Sequence, residues 1–233
     1  MPSATDPNPR VVRDATAIAI ETATEIENAL RDTGKRPFDR LADAGLVNSS
    51  LLAVHAVHLN DDEIDRFAEA GVSIAHCPSS NLKLASGIAP VARFAEAGIN
   101  VALGSDSAAS NNMLDLFTEM RTAALLGKVQ SGDASAVGAS AALHMATMGG
   151  ARALGLEQSI GSITAGKLAD LTCVDFGPPN TQPVYDIVSQ LVYAARSDQV
   201  SDVWVSGRHQ LDSGRFTQLD LADLVSRANE WRD

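Results

Sequence analysis

Short apolar runs alternate with amphipathic stretches through the first half of the chain. Four of these runs predict buried strands: ATAIAI (15–20), LLAVHAVHL (51–59), VSIAHCP (72–78) and NVALGSD (100–106). Each run is followed by residues with helical periodicity. The predicted helices are TATEIENALRDTG, DDEIDRFAEAG, APVARFAEAG and MLDLFTEMRTAALLGK (113–128). Because the strand runs are apolar on both faces, this alternation predicts a parallel sheet covered by helices, and we assign the chain to the α/β class.

Local signals help to define two of the predicted helices. Asn60 is the predicted N-cap of DDEIDRFAEAG, Glu63 stands at the capping-box position, and Gly71 is the stop signal. Further along, DLADLVSRANEWRD predicts an amphipathic helix. We expect its apolar face to dock on the body of the protein.

A titratable side chain stands near the end of each predicted strand. Glu21 follows the first strand, His55 and His58 lie in the second, His76 lies in the third, and Asp106 ends the fourth. In parallel α/β folds the working residues sit at the carboxyl ends of the strands. A lone histidine in an apolar run is usually a core side chain, but four successive units with such groups predict a site.

Asp106 gives the sharpest signal of this set. A carboxylate at the end of a buried strand requires a cation, a cluster of hydrogen-bond donors or a raised pKa. A purely structural capping role is the alternative interpretation. The small and amide residues of CPSSNLKLASG either shape the rim of a pocket or satisfy a tight turn.

The composition excludes some classes of binding partner and indicates the cellular compartment. The 233 residues include 29 acidic and 18 basic side chains, a net charge of −11. Such a surface repels nucleic-acid phosphates and anionic lipids, so we expect neither nucleic-acid nor membrane binding. The opening MPSATDPNPR has no apolar core that could act as a signal peptide, and two cysteines suit a reducing compartment. We therefore expect a cytoplasmic protein.

The residues from 55 to 112 resemble the amidohydrolase superfamily. The likeness is carried by HAVHLNDDEIDRFAEAGVSIAHCPSSNLKLASGIAPVARFAEAGINVALGSDSAASNN. Within that superfamily it resembles most the 5′-methylthioadenosine/S-adenosylhomocysteine deaminase group, a neighbour of guanine, 8-oxoguanine and triazine hydrolases. ETATEIENALRDTGKRPFDRLADAGLV extends the resemblance upstream, and ALHMATMGGARALGLEQSIGSITAGKLADLTCVD extends it downstream. The resemblance thus runs from about Glu21 to nearly the last residue.

This resemblance implies a TIM-like (β/α)₈ barrel with a divalent metal, usually zinc, at its mouth. The chain would supply strands 5–8 of that barrel within residues 1–158. Residues 159–233 would form a β-rich piece of a composite sandwich domain together with the terminal helix. The implied reaction is a metal-dependent attack of water on a ring carbon of a small purine-type substrate, with ammonia as the leaving group.

The resemblance also implies roles for individual residues. Asp106 matches the strand-8 aspartate that ligates the metal and takes the proton of the water. His55 matches the strand-6 histidine that orients and polarises this water, so Asp106 and His55 are the candidate metal-site residues. Glu21 matches the glutamate that protonates the ring nitrogen, and Glu21 and Asp106 are the candidate substrate contacts. The expected catalytic set is therefore Glu21, His55 and Asp106.

The chain departs from the family pattern at two places. It contains no HxH pair, and Ile18 stands where family members carry a histidine. Because a catalytic zinc requires three protein ligands, we expect incomplete metal ligation and impaired activity of this chain alone. The expected partner is an amino-terminal half-barrel or a second copy of the chain. The alternatives are a non-catalytic relative that binds or assembles with a complete homologue, and a guanine or triazine hydrolase.

Overall fold

The computed structural model describes residues 16–19 and 22–231. Within them, four parallel strands form the first sheet in the order β1-β2-β3-β4. These strands are β1 (Thr16–Ala19), β2 (Leu51–Val54), β3 (Ser73–His76) and β4 (Asn100–Leu103). The parallel sheet of an α/β fold is therefore confirmed.

The register of this sheet aligns the carboxyl ends of its strands. Ala53 pairs with Ile74, and Ile74 pairs with Val101. As a result, β2, β3 and β4 end within about one residue of each other across the sheet. Side chains that follow these strands are thereby brought to one edge.

Three strands are shorter than the apolar runs predict. The run 51–59 forms a strand only as far as Val54, because His55 and Ala56 turn into the left-handed region with φ of 67° and 50°. The runs 72–78 and 100–106 likewise shorten to Ser73–His76 and Asn100–Leu103. The apolar residues beyond β2 are buried in turns rather than extended. The apolar run therefore predicted correctly that these residues are buried, but it overestimated the length of the strand.

The helices cover the sheet largely as the periodicity predicts. In α3, Asn60 and Glu63 each accept a hydrogen bond from the other's backbone N–H, and Gly71 ends the helix with φ of 69°. α6 begins at Leu116 rather than 113, because Asp115 accepts from the N–H of Phe117 as the N-cap. The helices are α1 (Ala23–Thr33), α2 (Pro37–Asp43), α3 (Asp61–Ala70), α4 (Pro78–Lys83), α5 (Val91–Glu96), α6 (Leu116–Ser131), α7 (Ala139–His144), α8 (Gly150–Ala153), α9 (Ile187–Tyr193) and α10 (Leu221–Asn229).

The main core lies between the helices and one face of the parallel sheet. Phe38 of α2 and Phe67 of α3 pack with their ring centroids 5.1 Å apart. Ile74 of β3 and Phe94 of α5 are fully buried in the same cluster. Burial alternates along β2 and β3, so the opposite face is only half-buried in the described residues. The expectation of strands buried on both faces is therefore met on one face only.

A π-helical segment, Met145–Gly149, lies directly against β4. The side-chain amide of Asn100 donates to the carbonyl oxygen of Gly149 over 3.1 Å. A Cβ atom on Gly149 would lie 2.3 Å from the carbonyl oxygen of Val101. Only glycine permits this approach between the segment and the strand.

The second sheet is antiparallel and more exposed. Its strands are β5 (Leu171–Val174), β6 (Val200–Val205), β7 (Arg208–Asp212) and β8 (Arg215–Phe216), hydrogen-bonded in that order. A β-rich carboxyl-side portion is thus present, while the boundary between residues 158 and 159 stays a prediction.

The expectation that the terminal helix docks on the body is wrong for the residues that the structure describes. No residue of α10 is buried, and Val225 is 61% exposed. Its apolar positions stay partly or mostly exposed among the described residues, with Leu224 the most covered of those given at 39% exposed. Elsewhere in residues 16–19 and 22–231, no helix is both long and apolar enough to cross a membrane.

Candidate metal and catalytic site

His55 occupies the turn directly after β2. Its backbone N–H donates to the carbonyl oxygen of Ala75 over 3.0 Å, which ties the turn to β3. The buried imidazole places Nδ1 2.7 Å from Oδ1 of Asn81. The amide oxygen accepts the Nδ1 proton, so in the neutral imidazole the lone pair is on Nε2. His55 therefore presents Nε2 at the edge of the sheet.

Asp106 lies in the loop that follows β4. Gly104 continues the alignment with β3 by donating to the carbonyl oxygen of His76, and Asp106 itself adopts φ of 59°. Its Oδ2 accepts hydrogen bonds from Ser110 Oγ at 2.6 Å and from Ser80 Oγ at 2.7 Å. These two hydroxyl groups, Ser110 first, hold the pKa of Asp106 below its ordinary value. The carboxylate is therefore ionised at neutral pH.

The two predicted residues come together as the parallel alignment requires. His55 Nε2 lies 3.9 Å from Asp106 Oδ2, too far for a hydrogen bond. Zinc bonds to imidazole nitrogen and carboxylate oxygen measure about 2.0–2.2 Å, so one ion between these atoms can contact both. The donor types and their separation thus fit two ligands of one zinc ion, which would take the place of one of the two hydroxyl groups on Oδ2.

His76 lies on β3 between the two residues in sheet order. It is 1% exposed, and its Nδ1 has no hydrogen-bond partner among the described residues. Burial, followed by the charge of His55, lowers the pKa of His76 to about 4. This imidazole is therefore neutral at pH 7. His58, by contrast, has Nε2 2.8 Å from the carbonyl oxygen of Ser86.

Glu21, the third predicted catalytic residue, lies outside the described residues. The backbone of β1 is described, and Ala19 pairs with Val54, the residue before His55. The end of β1 therefore lies beside the candidate site, but the role of Glu21 stays a prediction.

Sequence reasoning missed the residues that hold this pair. Ser80 and Asn81 lie on α4, within the segment interpreted as either a pocket rim or a tight turn. Pro78 at the first helical position was a signal for a helix there. Ser110 stands four residues after Asp106, among small residues whose loop conformation has no distinctive local signature.

A second histidine–carboxylate cluster lies on the antiparallel sheet. His209 Nε2 is 3.0 Å from Asp202 Oδ1, and the donor atoms of these residues and Asp212 lie within 4.8 Å of one another. The His209 ring stacks on Trp204 with centroids 4.4 Å apart. Ser213 donates to both carboxylates, through its N–H to Asp202 and its hydroxyl to Asp212. The cluster was not predicted, and its groups are already paired.

Comparison with known proteins agrees with the resemblance found in the sequence. The sequence model of the Amidohydrolase family matches residues 15–209. A 5-methylthioadenosine/S-adenosylhomocysteine deaminase of Teredinibacter turnerae is 46% identical over 213 residues, 91% of this chain and 48% of that protein. The namesake from Moorella thermoacetica is 47% identical over 210 residues, 90% of this chain and 49% of that protein. The chain thus spans about half the length of the curated relatives it matches.

Solved structures extend this similarity to the fold. A zinc-bound adenosine deaminase from Xanthomonas campestris aligns with a TM-score of 0.90 and 50% identity, over 91% of this chain and 48% of that one. The zinc complex of atrazine chlorohydrolase TrzN from Arthrobacter aurescens aligns with a TM-score of 0.87 and 28% identity, over 93% of this chain and 48% of that one. These neighbours support a partial TIM-like hydrolase domain.

Proposed function

Because the chain belongs to the amidohydrolase family, we propose that it forms the carboxyl-side half of a metal-dependent aminohydrolase. In this proposal β1 to β4 are strands 5 to 8 of the barrel. One observation carries the proposal: His55 Nε2 and Asp106 Oδ2 lie 3.9 Å apart at aligned strand ends. Their donor types match the zinc that the solved neighbours bind.

His55 and Asp106 are the residues of this chain that would hold the metal. When bound, zinc supplies Lewis acidity that lowers the pKa of a water molecule. Asp106 takes a proton from the water, since its carboxylate is ionised at neutral pH. His55 has one free ring lone pair, on Nε2, and this lone pair either ligates the metal or accepts a hydrogen bond from the water and orients it. Glu21 donates a proton to the ring nitrogen of the substrate.

The proposed substrate is a small purine nucleoside such as 5′-methylthioadenosine or S-adenosylhomocysteine. Support comes from the names of the relatives, which are 46% and 47% identical to this chain. A guanine or triazine hydrolase is the alternative within the same chemistry. The likeness to atrazine chlorohydrolase, at 28% identity, favours that alternative less.

We further propose that the parallel sheet is completed by an amino-terminal half-barrel or by a second copy of the chain. β1 and β4 are the edges of the sheet, and each has one side without a partner strand among the described residues. Unpaired edges of a parallel sheet expose backbone donors and acceptors. Cys77 and Cys173 are not joined in a disulfide, which suits the cytoplasm as the compartment of this chain.

A non-catalytic relative is the second candidate function. The observation that favours it is the missing HxH pair together with Ile18, which cannot ligate a metal. In that case the chain binds or assembles with a complete homologue. The neighbouring gene separates the two functions: an upstream reading frame that encodes an HxH strand favours the aminohydrolase half, and a complete paralogue elsewhere favours the assembly partner.

The test restores the missing ligands. This chain with Ile18→His is co-expressed with the amino-terminal half of the Xanthomonas deaminase, and ammonia release from methylthioadenosine is measured. We expect deamination only in this doubly repaired complex, with Glu21→Gln lowering the rate by roughly 10²–10⁴-fold. The original chain without the added half is the control.

A repaired complex that folds and binds zinc but leaves methylthioadenosine, S-adenosylhomocysteine and guanine analogues untouched would contradict the purine-deaminase proposal. Stoichiometric zinc and turnover in the unmodified chain alone would contradict the incomplete ligation.

A further inference from the structure

Glu119 is a buried acid that the proposed chemistry does not use. It lies in the first turn of α6 and is 0% exposed. Its Oε1 accepts from the side-chain amide of Asn111 at 2.6 Å, and its Oε2 accepts from the backbone N–H of Ser79 at 3.1 Å. A carboxylate this deeply buried is costly unless its oxygens find donors, and here each oxygen has one.

One of these bonds caps the short helix α4. The side chain of its N-cap residue, Cys77, makes no hydrogen bond that caps the helix, and Pro78 has no N–H. The N–H of Ser79 is thus the first backbone donor of α4 without a partner inside the helix. Glu119 satisfies this donor from a different helix, doing the work of an N-cap side chain.

The residues that follow Ser79 hold the candidate site. Ser80 Oγ donates to Asp106 Oδ2 over 2.7 Å. Asn81 Oδ1 lies 2.7 Å from Nδ1 of His55. One turn of α4 therefore carries the cap bond to Glu119 and the partners of both candidate site residues.

The other bond of Glu119 reaches the loop after β4. Asn111 directly follows Ser110, whose hydroxyl donates to Asp106 Oδ2 over 2.6 Å. Both segments whose hydroxyl groups contact Asp106 are thus joined through one carboxylate. An amide cannot replace it unaided, because both neighbours of Glu119 are donors.

We propose that Glu119 is a positioning residue that clamps the first turn of α4 to the 107–111 loop and so sets the geometry of His55 and Asp106. The inference rests on the proposed function only in naming that pair as the working site. The clamp itself consists of contacts that need neither metal nor substrate.

Three variants of the full chain test the clamp by amide hydrogen exchange, resolved by segment. Glu119→Gln places an amide group against two donors. Glu119→Gln combined with Asn111→Asp restores a donor–acceptor match at both bonds. Glu63→Gln is the matched control, since Glu63 is a buried acid on α3 that pairs with Arg36 and has no contact with Asp106.

In Glu119→Gln we expect exchange at 79–81 and 107–111 to accelerate roughly ten-fold, the factor for one lost hydrogen bond at the upper end of the usual range. The double variant should return both segments to wild-type rates, and Glu63→Gln should leave them unchanged. Unchanged rates in Glu119→Gln, an equal acceleration over the whole chain, or no recovery in the double variant would each overturn the clamp.

The outcome is separable from that of the proposed function. A chain inert on purines that shows the expected exchange pattern refutes the aminohydrolase and keeps the clamp. If Glu119→Gln unfolds the chain, the double variant decides: wild-type exchange in both segments supports the clamp, and an unfolded double variant overturns it.

Discussion

The two sheets each hold a histidine beside an aspartate, and the two pairs differ in what surrounds them. On the antiparallel sheet, His209 and Asp202 are 3.0 Å apart and hydrogen-bond to each other. At the edge of the parallel sheet, His55 and Asp106 are 3.9 Å apart. In the shorter pair the histidine and the aspartate hydrogen-bond to each other. In the longer pair each residue hydrogen-bonds to other side chains, His55 to Asn81 and Asp106 to Ser80 and Ser110.

Topology explains the difference. Parallel strands in register end at one edge, so the segments that follow separate strands converge on His55 and Asp106. Helix α4 supplies Ser80, and the loop after β4 supplies Ser110. On the antiparallel sheet, Asp202 and His209 come from neighbouring strands and lie on a half-exposed surface, with the ring stacked on Trp204. Convergence of several loops, rather than closeness of two charges, distinguishes the candidate site.

The largest expected effect comes from replacing the aspartate of each pair, Asp106 or Asp202, by asparagine. In the repaired complex, Asp106→Asn should remove tightly held zinc and lower deamination by roughly 10²–10⁴-fold, because it deletes a ligand and a proton acceptor. Asp202→Asn should keep both zinc content and rate within about two-fold, as expected of a surface group. Equal losses in the two variants would mean that the antiparallel cluster also supports activity.

Next in size is the pH dependence of stability that His76 confers. Its folded-state pKa of about 4 lies below the unfolded value near 6.5. The unfolded chain therefore binds the proton first, and stability falls as pH drops from about 6.5 to 4, by about 3 kcal/mol. Denaturant unfolding across this range should show a shallower fall in His76→Gln. Parallel pH profiles for the two proteins would argue against a neutral buried His76.

A smaller effect should follow from the hydroxyl groups beside Asp106. Ser110→Ala and Ser80→Ala each remove a donor that lowers the pKa of Asp106, so this pKa should rise, more in Ser110→Ala. Each substitution should lower the free energy of unfolding by about 1 kcal/mol, since the carboxylate is partly exposed. Carbon-13 NMR titration of Asp106 measures the change. Ser213→Ala, at the antiparallel cluster, is the control and should leave Asp106 unchanged.

The smallest expected effect concerns the surface pair. His209→Gln removes the hydrogen bond between the ring and Asp202 but keeps a polar side chain, and it should lower the free energy of unfolding by about 0.2–1 kcal/mol. A loss above about 2 kcal/mol would show that the cluster stabilises the sheet more than an exposed pair can.

Features set by local signals could be predicted from the sequence. Asn60, Glu63 and Gly71 define α3 because a capping box and a left-handed stop need no tertiary information. The meeting of His55 and Asp106 also followed from parallel strands. The sequence did not predict the early end of β2, because His55 and Ala56 adopt positive φ without being glycine.

The support of the site was equally hidden from the sequence. Ser80, Ser110 and Glu119 acquire their roles only when α4, the loop after β4 and α6 meet in space. Small hydroxyl residues are common in loops and carry no spacing rule of their own. The apolar face of α10 predicted a docked helix, but its partner surface is a tertiary property that the periodicity cannot supply.

The contact between Gly149 and β4 bears on which changes the chain tolerates. A side chain at this position would meet the Val101 carbonyl oxygen at 2.3 Å, so either the π-helical segment or the strand must move. The strand leads directly to the loop that carries Asp106. A substitution at Gly149 is therefore expected to shift the loop that carries Asp106. Even alanine is too large at this position. The clash with the strand is enough to restrict this position to glycine.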